Sequence, residues 1–359
     1  MAEFGDKIQR GSGTITFSQH PSGAMMFEIS GFFRAMYQIA VGFDGSILCH
    51  VPCVGVGATT PPYPQPSMLA WIQSDEQGLW GRRCPSCKTY FRTDHIGQET
   101  FCPYCSQVAE NIAFITEAQR RYLQAFCEAG VRAMKTKEPI TIDVASVTDV
   151  GSEWSYSEER QQFHFKCSNC STQADILGDY GWCPNCGRTN AKELIEGKCK
   201  ALTERFQKAD KNITERNERG EEWEKINNDC FSHFEAMGKH LQSRLILFPT
   251  TPKRKKETHN LNFQRLFDAA DSVKTIFGID LLEHVACEEQ AFLKLMLQRR
   301  HIVVHNGGRV DEDYLKNSGD AKARLHQRIR VDSNQINRLI PIIRVMSLKL
   351  IEGVDSIGG

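Results

Sequence analysis

From Gly13 to about Trp80 the pattern of apolar and polar positions favours half-buried strands. Thr14 to Phe17, Met25 to Ile29 and Tyr37 to Val41 each read as a strand, and Ile47 to Val56 as a fourth after the turn residues Asp44-Gly45. Pro61 to Pro66 contains four prolines, cannot enter a sheet or helix interior, and reads as an extended connector separating this unit from Leu69 to Ile72. The period then lengthens. Thr116 is placed to cap a helix carrying Tyr122, Leu123, Phe126 and Val131 and stopping before Pro139. Ile140 to Val144 and Phe163 to Phe165 return to strand patterning.

From Ala191 the pattern is helical to the end. Leu194, Ala201, Leu202, Phe206 and Ala209 form one apolar stripe, and Trp223, Phe231, Phe234, Met237 and Leu241 form another after a break expected near Gly220. Pro249 to Thr258, with the basic run Lys253 to Lys256, reads as a loop whose charges are either solvated or available to phosphate. Phe263 to Ile276 predicts an amphipathic helix closed by Gly278. A further helix is expected from Glu283 to His305, stopped by Asn306-Gly307-Gly308. Asp332 followed by Gln335 has the spacing of a capping box for a final helix, which Pro341 is expected to kink.

Fourteen cysteines change the picture of the first half. Eight of them form four Cys-x2-Cys pairs: Cys84/Cys87 with Cys102/Cys105, and Cys167/Cys170 with Cys183/Cys186. A tight turn aims both thiolates of such a pair at one ion, and a second pair completes a tetrahedron, so the spacing predicts two four-cysteine zinc ribbons. Four thiolates leave no open coordination position, which makes both expected zinc ions structural. Cys49-His50 with Cys53 admits a third metal site, although buried small hydrophobes account for these cysteines more simply. Beside the first knuckle, Arg82, Arg83, Tyr90, Phe91 and Arg92 suit either nucleic-acid contact or packing. The resulting fold class is α+β and multidomain. It has a β-rich unit over residues 1–80, ribbon 1 over 81–110, a connecting helix over 111–137, ribbon 2 with flanking strands over 138–190, a helical connector over 191–222 and an all-α bundle over 223–355.

Charge narrows the function classes. Lys+Arg and Asp+Glu both total 44, so the chain as a whole is no polycation, and any nucleic-acid site must be a local patch. The start of the chain lacks a secretory h-region and no stretch has bilayer-spanning length, so a cytoplasmic location with no membrane partner is expected.

The remaining chemistry gathers at Arg299-Arg300-His301 and His305. His305 falls in the last turn of its helix, where an imidazole can exchange a proton near neutrality. On a helical wheel Arg300 and His305 lie about 140° apart and His301 and His305 about 40° apart, so an isolated helix does not focus Arg300 and His305 on one point. Either the helix end brings them together or a second copy completes the site. A helix-end histidine beside solvated arginines accounts for the same residues without catalysis.

Arg300-His301-x3-His305 resembles the Arg-x4-6-His motif of the HEPN superfamily of helical domains, and Arg299 to His305 fits the same spacing. The segments from Asn262 to Ala270 and from Val304 to Leu315 are similar to those of prokaryotic zinc-ribbon proteins with a HEPN-like C-terminus. The resemblance covers about residues 223–355. It implies a metal-independent endoribonuclease with its site at a homodimer, in a stress or antiviral defence setting, open to a regulatory protein partner. His305 would act as general acid or base, Arg300 would stabilise charge on the phosphate, His301 would orient or supplement, and Arg299 would bind backbone phosphate, with RNA as substrate. The ribbons would aid recognition of RNA or of a partner. The family also implies an alternative, a non-catalytic scaffold that binds RNA or protein.

Overall fold

A computed structural model describes residues 13–31, 34–52, 60–148 and 163–358. The chain divides into two compact units, Met1–Asn190 and Ala191–Gly359.

In the first unit, β1 (Thr14–Gln19) pairs with β2 (Met25–Ser30), and β3 (Met36–Gly42) lies between β4 (Ile47–Val51) and β5 (Ser67–Gln73), all antiparallel. Asp44 fixes the β3–β4 turn by accepting hydrogen bonds from the Ser46 backbone and hydroxyl, and Gly45 adopts φ +85° there. β5 returns directly alongside β3, with Met36 opposite Gln73 and Gly42 opposite Ser67. The proline run is therefore a crossover within one sheet, and does not separate Leu69–Ile72 from the strands before it. Cys53, the third member of the expected Cys49-His50-Cys53 grouping, lies outside the described residues.

β6 (Trp80–Arg83), β7 (Tyr90–Thr93), and the hairpin β8 (Glu99–Phe101)–β9 (Val108–Glu110) build the first ribbon. A 3-10 turn over Asn111–Phe114 leads into α1 (Glu117–Thr136), which Thr116 caps as expected, with Gln119 bonding back to complete a capping box. β10 (Ile140–Asp143), followed by the single turn α2 (Val144–Val147), pairs with β1 rather than flanking the second ribbon. Tyr122, Leu123 and Phe126 of α1 pack with Ile15, Phe17, Ile39 and Ile72 of the two three-stranded sheets, so one core joins strands and helix.

β11 (Phe163–Lys166) and β12 (Gln173–Ile176) form the second ribbon's hairpin, and β12 pairs with β7 of the first. The two ribbons thus share one four-stranded antiparallel sheet, ordered β11-β12-β7-β6. A second seam lies at the knuckles, where Phe101 N–H donates to Pro184 O at 2.8 Å and Trp182 N–H to Pro103 O at 2.9 Å. Arg92 is 1% exposed at the middle of this sheet, binding Asp75 and, at 2.6 Å, Asp175. Burial pushes the Asp75 carboxyl above its ordinary range even with that guanidinium beside it.

The second unit is helical. α3 (Ala191–Asn212), α4 (Arg216–Leu245) and α9 (Ser333–Gly358) pack on one another, and α7 (Cys287–Asn306) packs on α4 and α9. The apolar positions of the sequence pattern meet here: Ile226, Phe234, Met237, Leu293, Met296 and Leu339 are buried. α5 (Pro252–His259) replaces the expected loop. Thr251 accepts from Arg254 N–H and Pro252 sits in the first turn, two helix-start features that the basic run obscured. α6 (Leu266–Phe277) ends at Gly278 with φ +74° as expected, and α8 (Glu312–Ser318) starts at the cap residue Asp311. α4 continues through Gly220, the break lying instead between Asn212 and Arg216. Asp332 and Gln335 exchange both capping-box hydrogen bonds, at 3.2 and 3.0 Å, and α9 runs on through Pro341. Among the described residues no helix is long and apolar enough to cross a membrane.

Candidate metal centres and an arginine-histidine groove

Each Cys-x2-Cys pair is built the same way. The residue after the second cysteine (Lys88, Ser106, Ser171 or Gly187) adopts φ between 52° and 66°. Its N–H donates to the carbonyl of the first cysteine at 2.9–3.0 Å. The first cysteine's own N–H returns a bond of 2.7–3.1 Å to the residue two beyond the second cysteine: Thr89, Gln107, Thr172 or Arg188. This double closure bends the chain into a knuckle and turns both sulfurs to the same side. Only one of the four left-handed positions is glycine, so the hydrogen bonds hold a conformation that costs other residues about 1 kcal/mol or more.

The sulfurs converge accordingly. Cys84 and Cys105 stand 3.7 Å apart, Cys87 and Cys102 3.6 Å, Cys167 and Cys186 3.6 Å, and Cys170 and Cys183 3.5 Å. Within each set of four, all sulfurs lie within 4.8 Å of one another. A tetrahedral ion with metal–sulfur bonds of about 2.3 Å requires sulfurs about 3.8 Å apart. A disulfide would need about 2.05 Å. Both clusters can therefore hold one metal ion each. Within each cluster the thiols split: hydrogen bonds with Cys102 and Cys105 draw the Cys84 pKa down to about 6, while Cys102 and Cys105 are themselves pushed up by the other thiols around them. Burial alone would push Cys170 up, but hydrogen bonds with Thr172 and neighbouring cysteines bring it to about 7.

The residues beside the first knuckle resolve into packing. Arg82 is fully buried and donates to the Tyr37 hydroxyl at 2.7 Å, while Tyr90, Phe91 and Arg92 are also buried. Of that group only Arg83 retains partial exposure, so Arg82, Tyr90, Phe91 and Arg92 do not form a nucleic-acid surface.

On α7 the neighbouring arginines separate. Arg299 follows Met296 and precedes Ile302 on the buried face, and its side chain is 11% exposed. It donates to Gln335 Oε1 at 2.5 Å, to Asp320 at 3.2 Å and to the Tyr314 hydroxyl at 3.4 Å, tying α7 to α8 and to the start of α9. Burial pushes the Asp320 carboxyl up, but its bonds with Arg299, Lys322 N–H and Tyr314 outweigh this and hold it below its usual range. The expected phosphate contact of Arg299 gives way to this structural role.

Arg300 turns the other way. Its Nε donates to Asn228 Oδ1 at 3.0 Å, and Nη2 reaches Ser232 Oγ at 3.4 Å and Glu235 at 3.6 Å, all on α4. The His301 and His305 rings lie 4.7 Å apart between centroids, and both residues are exposed. Arg300, His301 and His305 line one groove of 990 Å³, together with Lys294, Gln298 and Arg265. Packing of α7 on α4 thus brings to a common groove the two side chains that the wheel sets 140° apart.

Sequence reasoning missed the α4 partners of Arg300, because Asn228, Ser232 and Glu235 lie some seventy residues away with nothing in the pattern to connect them. Lys294 and Gln298 were within reach. They precede His301 and His305 at spacings of three, four and seven along one helical face, while Met296, Arg299 and Ile302 alternate onto the other.

No protein-family model, curated protein or solved structure matches this chain.

Proposed function

We propose that the chain is a metal-independent endoribonuclease of the HEPN type, acting as a homodimer and stapled by two structural zinc ions. The observation that carries this reading is the shared groove: Arg300, His301 and His305 line it beside Lys294 and Arg265, so an imidazole pair and three further cations share one space with the carboxylates of Asp268 and Asp313. In the reaction His305 takes the proton of a ribose 2′-OH, or gives one to the departing 5′ oxygen, while Arg300 offsets charge developing on the phosphate. The 2′ oxygen attacks the adjacent phosphorus and the bond to the 5′ oxygen breaks, leaving a 2′,3′-cyclic phosphate and a 5′-hydroxyl end. DNA lacks the attacking hydroxyl and is spared. His301, its ring 4.7 Å from that of His305, orients it or shares the proton. Val304 is 56% exposed among these residues and gives a second copy an apolar contact through which to add its own α7.

Zinc is the ion assigned to both clusters, because four thiolates at tetrahedral spacing are its preferred closed structural shell. Its work is to hold the ribbons, and no catalytic step passes through it. A second reading, a scaffold that binds RNA or protein without cutting, draws support from the Arg300 guanidinium, which Asn228, Ser232 and Glu235 already engage within the chain.

Purified protein incubated with total RNA in EDTA, beside the Arg300→Ala/His305→Ala double variant, separates the two. Cleavage by the wild type alone, with cyclic phosphate ends, is the expected result. Absence of cleavage by a folded, dimeric wild type would transfer the assignment to the scaffold.

A further inference from the structure

Ribbon 1 and the start of α1 enclose a second groove, of 600 Å³, lined by Arg83, Lys88, Arg120 and Arg121 with Glu117 and the metal-ligand residue Cys84. Four cationic side chains face one carboxylate there, in a chain whose charges balance overall at 44 each. The cations come from elements that are fixed in place. Arg83 ends β6, and Lys88 occupies the left-handed position of the first knuckle, its amide tied to Cys84 O at 3.0 Å. Arg120 and Arg121 are exposed on the first turns of α1, whose N-terminus is set by the Thr116–Gln119 capping box. The helix start adds a positive partial charge of its own. Lys88 Nζ donates to Pro85 O at 2.6 Å, and Arg121 Nε stands 3.6 Å from Glu117 in an exposed pair. Exposed pairs of this kind are worth about 0–1 kcal/mol and yield readily to a competing anion.

We propose that this groove binds the phosphate backbone of single-stranded RNA. Three guanidinium forks and an ammonium suit phosphate oxygens. A concavity of this volume takes a drug-sized segment, which matches a short stretch of single strand. The proposal rests on the reading of this chain as one that acts on RNA, and it requires no cleavage. It also assigns the nucleic-acid contact of ribbon 1 to its knuckle and to α1, in place of the buried Arg82 and Arg92.

The test measures fluorescence anisotropy of a short, labelled, mixed-sequence single-stranded RNA on the full chain carrying Arg300→Ala/His305→Ala, so that the probe stays intact. Contact with about three phosphates gives a slope of log affinity against log salt near −2, or about a 20-fold loss between roughly 50 and 200 mM salt. Adding Arg120→Glu/Arg121→Glu, both on the exposed face of α1, is expected to weaken binding at least tenfold and to flatten that slope. Arg83→Gln/Lys88→Gln is expected to act in the same direction from the ribbon side. Binding unchanged in both variants overturns the proposal. So does equal competition by poly-glutamate at matched charge, which would assign the groove to an acidic protein. The two readings fail separately: absence of cleavage by the wild type with groove-dependent binding removes the ribonuclease assignment alone, and cleavage with groove-independent binding removes the groove alone.

Discussion

Gly238 shows how much one missing methyl group decides. It lies inside α4, where alanine would ordinarily gain about 1 kcal/mol of helix propensity. A Cβ built there would stand 2.5 Å from the ring of Phe263, which also packs edge-on to Phe234 at 6.1 Å. Phe263 precedes α6, so its ring rather than a helical turn fixes how that segment meets α4. We expect Gly238→Ala to lower stability by about 1–3 kcal/mol, the cost of overpacking, despite its better propensity. Denaturant midpoints would check this, and a variant more stable than wild type would show that Phe263 moves freely. At the same scale, the sequence made the Thr116 cap and the Asp332/Gln335 capping box legible, since both stand at fixed offsets from apolar runs, while the return bond from Gln119 that completes a box at Thr116 emerged only in the structure. It could not show that Gln335 also accepts from Arg299, a contact made only once α7 and α9 are packed.

Among the elements, the four knuckles were the most legible, because their geometry is local and written in cysteine spacing. The shared ribbon sheet was not, because β7 and β12 are joined by pairing across distant segments that carry no reciprocal signal. Arg92 is central to that joint. It read as a candidate for nucleic-acid contact, as an arginine near a zinc knuckle does when its carboxylate partners are out of view. Asp75 and Asp175 occupy its donors instead. Arg92→Met would leave two buried carboxylates without their cation, a loss on the order of 3–5 kcal/mol. The thermal transition of the first unit is expected to fall accordingly. The triple variant Arg92→Met/Asp75→Asn/Asp175→Asn should recover part of the loss, and failure to recover any would place the role of Arg92 in packing alone. The groove on α7 falls between these cases. Its lining on α7 follows a readable helical stripe, whereas the α4 residues that orient Arg300 belong to tertiary packing.

For the molecule as a whole, two units with separate cores imply two responses to metal loss. Both clusters lie in Met1–Asn190. A structural zinc site contributes apparent binding energies of about 10–16 kcal/mol, comparable to or larger than the net stability of a typical domain. Displacing the ions with a mercurial reagent should release two per chain and abolish the unfolding transition of the first unit. Most of the helical circular dichroism, carried by α3 to α9, should remain. Acid is expected to act in the same direction, because ligation requires thiolates and protons compete for them. Collapse of both units together would show that the helical unit depends on the ribbons.

The pairing of Thr93 with Ala174 spans 81 residues, whereas the cysteines of each cluster fall within about twenty. During synthesis the first metal site can therefore close long before its strand β7 meets β12. Until the second hairpin leaves the ribosome, one margin of β7 offers unsatisfied amides and carbonyls to any neighbouring nascent chain. The interval between the ribbons thus sets a window of aggregation risk, and slower translation across it would lengthen that window without altering the finished protein.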